Sequence, residues 1–272
     1  MKELRTFLRK GTRAVCRVSL GKWFYQPRVD AQDNVVPLKP VLGPLNQWLT
    51  ERGRTPPWLM TREECHAYWQ TLTNEDPRVD NRPEAYAASP HRLGRFLREF
   101  WSPEVRRTDR IMELGCNSGE HLHALQALGY TNLAGIEINP HAIEHLRRTF
   151  PEVAQRAAIS CGSVETLLPA AATGSRDVLL TVAVLMHVHP TSARVFQEMV
   201  RVARKYLCVI ETEAAHCSYV FARNYRRVFE RLGCTQVRSL VLTKSSHPAL
   251  DSRYYGCTAR LFRAPREGPR AP

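Results

Sequence analysis

An α/β fold built around a parallel sheet is predicted by three features of this 272-residue sequence. Residues 110–141 read as strand, glycine turn, helix and second strand. Two later runs, Asp177 to Val182 and Tyr206 to Glu211, have the nearly unbroken apolar character of strands covered on both faces. The stretches between them carry helical periodicity, as crossover connections require.

Ile111 to Leu114 is a short apolar run holding one acid, bounded by Gly115. Gly115 to Gly119 is a turn, and Glu120 to Leu128 reads as a helix with Leu122, Leu125 and Leu128 on one face. Leu133 to Ile138 is the second apolar run, and Pro140 stands where a helix starts. Such a βαβ unit holds ligands at the carboxyl ends of its strands. Glu137 closes the second strand, where a carboxylate can accept charge-assisted hydrogen bonds from two vicinal ribose hydroxyls. Glycine turns are common in α/β proteins, so the spacing matters. It is Glu-x-Gly-x-x-x-Gly, neither Gly-x-Gly-x-x-Gly nor a P-loop, and no Lys follows to hold a phosphate. A ligand with ribose and without phosphate fits better. His121 and His123, two residues apart, point to different helix faces and read as surface or packing residues.

Glu113-Leu-Gly-Cys-Asn-Ser-Gly119 followed by Gly135-Ile-Glu-Ile-Asn-Pro140 resembles motif I and the acidic strand end of class I S-adenosylmethionine (SAM)-dependent methyltransferases. The resemblance covers about residues 90–263. It implies a Rossmann-like seven-stranded sheet of order 3-2-1-4-5-7-6 with strand seven antiparallel, and S-adenosyl-L-methionine as cofactor. The cofactor residues it implies are Glu113, Gly115, Cys116, Asn117 and Gly119 in the first turn, and Glu137 and Ile138 after the second strand. Ser163 and Val164 follow the third strand, and Val182 and Ala183 end the fourth. In the family the turn after the third strand often reads Gly-Asp-Ala, with the Asp on the adenine amino group. Here Ser163 stands in its place, Glu165 is near enough in sequence to reach in, and Val164 is suited to pack on the adenine face.

The remaining elements follow in order. Ser89-Pro90 begins a helix through Trp101, with Leu93, Phe96, Leu97 and Phe100 on one face. Pro140 to Phe150 is a helix and Ala157 to Cys161 the third strand; Cys161 and Cys208 are expected in core strands, packing as small hydrophobes. Thr191 to Ala203 and Tyr219 to Leu232 read as helices. Thr235 to Thr243 and Cys257 to Phe262 alternate as an antiparallel pair joined by the loop 244–256. Residues 264–272 read as a flexible Pro-rich tail.

Residues 1–89 form an extension to the catalytic domain at 90–263. Arg5, Arg9, Arg13 and Arg17 make one stripe of a helix within residues 2–20. Membrane-surface contact, nucleic acid, an organelle transit sequence and a plain solvated capping helix all stay open for it. Residues 21–60, rich in Pro and Trp, predict an extended arm wrapped over a core. Arg62 to Leu72 reads as a helix, with Thr61 and Glu64 spaced as a capping box. The extension concentrates aromatics, among them Trp48, Tyr68 and Trp69, which suit either a lid over a polar ring-shaped substrate or simple docking of the arm. The net charge is +13, and 33 of the 39 basic residues are Arg. That suits phosphate-bearing partners such as RNA, anionic lipid or a nucleotide sugar, and equally an Arg-rich genome. The eight Cys contain no Cys-x-x-Cys pair, so no zinc or redox site is implied, and a reducing cytoplasm is the expected compartment. No run of about 18 apolar residues occurs.

Methyl transfer to a hydroxyl needs a base or a metal. His187 and His189 lie just past the fourth strand, where the family's loop faces the methyl group, and an imidazole with a pKa near about 6.5 suits general-base work. Glu211 ends the fifth strand, placed to orient a His or take a substrate hydroxyl. The three residues lack an adjacent acidic cluster, so no metal is expected. No Asn-Pro-Pro-Tyr or Asp-Pro-Pro-Tyr follows the fourth strand, which argues against exocyclic base amines, and no Pro-Cys or Thr-Cys pair offers a cysteine adduct. Leu185-Met-His-Val-His-Pro190 with Gly162-Ser163 is similar to small-molecule methyltransferases, in particular the pseudaminic-acid-biosynthesis-associated methylases. The expectation is O-methylation of a polar small molecule such as a sugar, nucleotide sugar or glycan, with His187 as base. Two alternatives stand beside it: an RNA or protein methyltransferase using the basic arm, and a non-catalytic SAM-fold subunit that binds a partner.

Overall fold

The computed structural model describes residues 28–29, 35–36, 42–56, 59–75, 82–87, 92–214 and 218–266. The expected helix at 2–20 and most of the tail lie outside them. A two-residue ladder pairs β1 (Arg28–Val29) with β2 (Val35–Val36). Helix α1 (Leu42–Glu51) then falls inside the stretch expected to be extended. Pro44 sits in its first turn, where no intrahelical N–H bond is lost, so the proline that argued against a helix is compatible with one.

Helix α2 (Arg62–Gln70) has the expected capping box: Thr61 Oγ1 accepts from the Glu64 amide, and the Glu64 carboxylate accepts from the Thr61 amide. Short α3 (Pro83–Ala87) and α4 (Arg92–Phe100) lead into the sheet. The larger part of the chain alternates β3 (Ile111–Leu114), α5 (Glu120–Ala127), β4 (Leu133–Glu137), α6 (Pro140–Thr149), α7 (Pro151–Arg156), β5 (Ala158–Cys161), α8 (Val164–Leu167) and β6 (Arg176–Val182). It ends with α9 (Arg194–Val202), β7 (Ala203–Thr212), α10 (Tyr225–Arg231), β8 (Thr235–Val241) and β9 (Cys257–Arg263).

The sheet order is β5-β4-β3-β6-β7-β9-β8, which is the expected 3-2-1-4-5-7-6 when β3 is counted as strand one and β9 as strand seven, with β9 antiparallel to both neighbours. Register pairs Glu113 with Gly135 and Leu114 with Ile136, so the carboxyl ends of β3 and β4 open side by side. Two apolar layers cover the sheet. One packs α4 and α5 against it through Leu97, Trp101, Leu122 and Leu125; the other packs α9 and α10 through Phe196, Met199 and Phe229. At the opposite end of the strands Asp177 accepts from the Arg110 amide and side chain and from Arg204, with Lys205 nearby. Burial raises its carboxyl, but these donors outweigh it and hold the pKa at about 2.

Two expectations change. The helix expected over 219–232 is confined to Tyr225–Arg231, capped by the Asn224 side chain; residues 218–224 form an irregular stretch that brings Tyr219, Phe221 and Arg223 inward. Cys161 is exposed, because β5 is an edge strand, whereas Cys208 in central β7 is buried as expected.

Candidate active site

A cavity of about 890 Å³ opens at the carboxyl ends of β3, β4 and β6. Its floor is the first turn. Gly115 has φ of 70°, and a Cβ there would meet Val184 Cγ2 at 2.4 Å, so the turn and the loop after β6 approach as closely as only glycine permits. Asn117 is left-handed with φ of 45°, as is Ala183 with φ of 55°. Both line the cavity, and such strain in non-glycine residues collects at functional sites.

Glu137 is buried with both carboxylate oxygens engaged: Oε2 accepts from the Asn117 amide and Oε1 from the Asn139 amide, each at 2.8 Å. Burial raises its pKa, against the opposing pull of those amides. A carboxylate has about four lone-pair positions, so two remain for a ligand's vicinal hydroxyls. Ser163 lines the cavity, and its hydroxyl also caps α8 by accepting from the Thr166 amide. Glu165 bonds His66 Nε2 at 3.0 Å, tying α2 across the cavity to α8.

The loop after β6 is held by its backbone. Glu211 accepts from three successive amides, Val184 and Leu185 at 2.9 Å and Met186 at 3.2 Å. Burial raises its pKa to about 7 despite those amides. From the other side buried Arg223 donates to the carbonyls of Leu185, Phe221 and Val188. His187 emerges from this loop into the cavity. Its Nδ1–H donates to the Tyr219 carbonyl at 2.9 Å, which leaves the lone pair of the neutral ring on Nε2. Trp69 of α2 packs beside it, ring centroids 4.4 Å apart.

Of the residues singled out from the sequence, Gly115, Cys116, Asn117, Glu137, Ile138, Ser163, Val164, Val182, Ala183 and His187 line the cavity. Four predicted residues do not line it. Gly119 lies behind the wall, its Cα facing Leu146, and Glu113 is buried beneath His121. Glu211 is fully buried and spent on the three amides, so it positions the loop and has no access to substrate. His189 turns away: Nδ1 accepts from the Thr191 amide and Nε2 bonds Thr55 Oγ1 at 3.0 Å, a capping role in place of a catalytic one. His187, His189 and Glu211 therefore do not converge, and among the described residues no group of three His, Cys, Asp or Glu is placed to hold a metal.

Other lining residues were missed. Cys65 and His66 come from α2, beside Trp69, which the sequence had offered only as lid or docking aromatic, and Arg253 and Tyr254 come from the loop between β8 and β9. His121, read as a surface or packing residue, is instead central to a buried network. Its Nδ1 bonds Glu113 Oε1 at 2.6 Å, and its Nε2 lies 3.0 Å from both Tyr254 Oη and Glu120 Oε1. Burial disfavours its charge, but Tyr254, Glu113 and Glu120 prevail and its pKa stands well above the ordinary imidazole value. The available signal was its position, one residue inside a helix that starts directly over the acid of β3.

Residues 112–206 match the profile of a family described as a methyltransferase domain. Residues 112–206 carry a methyltransferase domain, and the sheet around them has the strand order of the class I SAM-dependent fold. The cofactor of such a domain is S-adenosyl-L-methionine. Among curated proteins no sequence matches the chain. Solved structures match the methyltransferase fold broadly. A SAM-dependent methyltransferase of Leishmania major superposes with a TM-score of 0.57 at 14% identity, covering 74% of this chain and 82% of its own. Magnesium protoporphyrin IX methyltransferase of Synechocystis PCC 6803, with bound SAM, gives 0.55 at 12%, covering 78% and 100%. The [4+2]-cyclase SpnF gives 0.53 at 12%, covering 76% and 98%. At these identities the likeness is one of fold, so the acceptor chemistry has to be argued from the cavity. Among the described residues of this methyltransferase no helix is long and apolar enough to cross a membrane.

The cavity suits the cofactor's chemistry. Glu137 retains acceptor capacity for a ribose diol, the turn from Gly115 to Asn117 exposes backbone beside it, and Val164 offers an apolar face for a base.

Proposed function

We propose that this methyltransferase methylates a hydroxyl of a small polar molecule, such as a sugar, nucleotide sugar or glycan, with His187 as general base. The observation that supports the reading is the orientation of His187 on the cavity wall: the Tyr219 carbonyl takes Nδ1–H, so a neutral ring would accept a substrate proton at Nε2. Glu137 would hold the ribose, Val164 and Ile138 the adenine, and the Gly115–Asn117 turn the thioether end. Bound SAM supplies an electrophilic methyl on a sulfonium. The chain's own residues then have two tasks. Glu211 and Arg223 fix the loop so that His187 meets the acceptor in one orientation, and alignment of this kind is worth about 7–11 kcal/mol of barrier. His187 Nε2 takes the hydroxyl proton as the oxygen accepts the methyl, worth about 10²–10⁴-fold in rate. Trp69 offers a flat face to a sugar ring, and His66 with Glu165 offers polar contacts beside it. That α2 walls the cavity with Cys65, His66 and Trp69 favours a compact acceptor over a polymer.

The test uses the full chain with methyl-labelled SAM and a panel of hydroxylated sugars, nucleotide sugars and RNA. Label is expected in a sugar, with His187→Ala lowering turnover by about 10²-fold or more while S-adenosylhomocysteine affinity holds. Label entering RNA alone, or undiminished turnover in the variant, would refute the acceptor class or the base respectively.

A further inference from the structure

Charge is sorted along the strands. The acids that line the cavity, among them Glu137 and Glu165, stand at the carboxyl ends. At the amino ends the chain is basic. Arg110 precedes β3, Arg176 opens β6, and Arg204 and Lys205 open β7. Outside this group lie Arg106 and Arg107, and also Arg263 and Arg266, which reach the same rim because β9 runs antiparallel to β7. Two acids stand among these bases, Asp109 and Asp177. Both are buried and already paired: Lys205 donates to Asp109, and Arg110 and Arg204 donate to Asp177. Glu104 beside them pairs with Arg238 at 3.6 Å. What faces solvent is therefore positive. Arg204 keeps 55% of its side chain exposed, and Arg106, Arg107, Arg263 and Arg266 are all exposed. Partial burial, and then the charge of Arg110, lower the pKa of Arg176. Cations gathered in this way repel one another, and an anion laid over them relieves the repulsion. The strands concerned, β3, β6, β7 and β9, are neighbours in the sheet. Three spacings of about 4.8 Å make a rim of about 14 Å, the axial length of about four base pairs.

We propose that this amino-end rim docks the phosphodiester backbone of a nucleic acid, on a surface separate from the cavity. All of the eight bases except Lys205 are Arg, whose planar fork meets phosphate oxygens in pairs. An anionic membrane fits less well, because a membrane-surface element sets large apolar side chains beside its bases. Among the described residues the exposed large apolar side chains are Leu45, Trp48 and Val241. Val241 ends β8 at the cavity end of the sheet, and Leu45 and Trp48 belong to α1, which Thr55 ties to His189 past the end of β6. None of them stands on the rim. Contacts to the backbone position a polymer without reading its sequence. Strand β6 is seven residues long, about 20 Å, so a polymer on the rim lies far from the methyl group. Docking there is independent of which acceptor enters the cavity.

The test is fluorescence anisotropy of the full chain with a labelled RNA single strand of about 20 nucleotides and a DNA duplex of about 20 base pairs, between about 50 and 200 mM salt. Affinity should fall steeply with salt, with a logarithmic slope of about −4 on the duplex, as about four to five covered phosphates require. The quadruple variant Arg106→Ser, Arg107→Ser, Arg263→Ser and Arg266→Ser should bind about tenfold or more weakly, with a slope shallower by about two to three and unchanged circular dichroism. Arg263→Glu with Arg266→Glu should weaken binding in the same direction, which provides a readout if the quadruple variant folds poorly. Unchanged affinity and slope in both variants overturn the assignment of the rim. Wild-type protein that binds neither nucleic acid at the lowest salt, or that prefers phosphatidylserine vesicles or polyglutamate to both, overturns the choice of partner.

Discussion

Gly115→Ala adds one carbon where the fold has no space for it. The residue is left-handed, φ 70°, and the new Cβ would stand 2.4 Å from Val184 Cγ2 and 3.0 Å from Cγ1. A left-handed alanine costs about 1–2 kcal/mol and overpacking about 1–3 kcal/mol, so the sum is about 2–5 kcal/mol. For a chain of this size the thermal midpoint should fall by about 4–20 °C. Val184→Ala removes both colliding methyls and, being only partly buried, should cost about 1 kcal/mol alone. In the double variant the overpacking disappears and the backbone strain stays. A double-mutant cycle by urea unfolding should therefore show a favourable coupling of about 1–3 kcal/mol. Additivity within about 0.5 kcal/mol would refute the reasoning, since it would mean that Val184 does not set the space above the turn.

Three further outcomes are expected. Ala183→Gly relieves a left-handed alanine and should stabilise the protein by up to about 1 kcal/mol in the same unfolding assay; a loss would mean that φ of 55° carries no strain. Asp177, held at about 2 against an ordinary 3.8, contributes about 2 kcal/mol that is present above pH 4 and lost as pH falls toward 2. Asp177→Asn should lower stability at pH 7 by that order and flatten the acid limb of the stability profile; an unchanged limb would assign acid unfolding to other groups. His189→Ala removes the cap on Thr191 and should cost about 1 kcal/mol of stability while turnover stays near wild type, so a loss of turnover matching His187→Ala would return His189 to the chemistry.

The sheet was legible because its strands are short, apolar and punctuated by glycine and by proline at helix starts: Gly115, Gly119 and Pro140 all fall where the chain turns. Most of the cavity floor was legible for the same reason, since a βαβ unit fixes where Glu137 must stand. The network of His121 was not. Its partner Tyr254 lies 133 positions away on a loop without periodicity, and no local pattern reports a contact of that separation. Glu211 was placed correctly at the end of its strand and given the wrong task. Sequence tells where a carboxylate stands, but whether it faces substrate or three backbone amides depends on the path of the loop above it. Helix α1 was masked by Pro44, whose meaning reverses between the first turn of a helix and its interior.

The clamp on the loop after β6 grips only amides and carbonyls, through Glu211 beneath and Arg223 behind. It takes no notice of what side chains the loop displays. Met186 and His187 can therefore be exchanged while the peptide that carries them keeps its course, which separates the inheritance of architecture from that of acceptor preference. A lineage holding those two buried side chains can sample new acceptors one residue at a time without first rebuilding the platform.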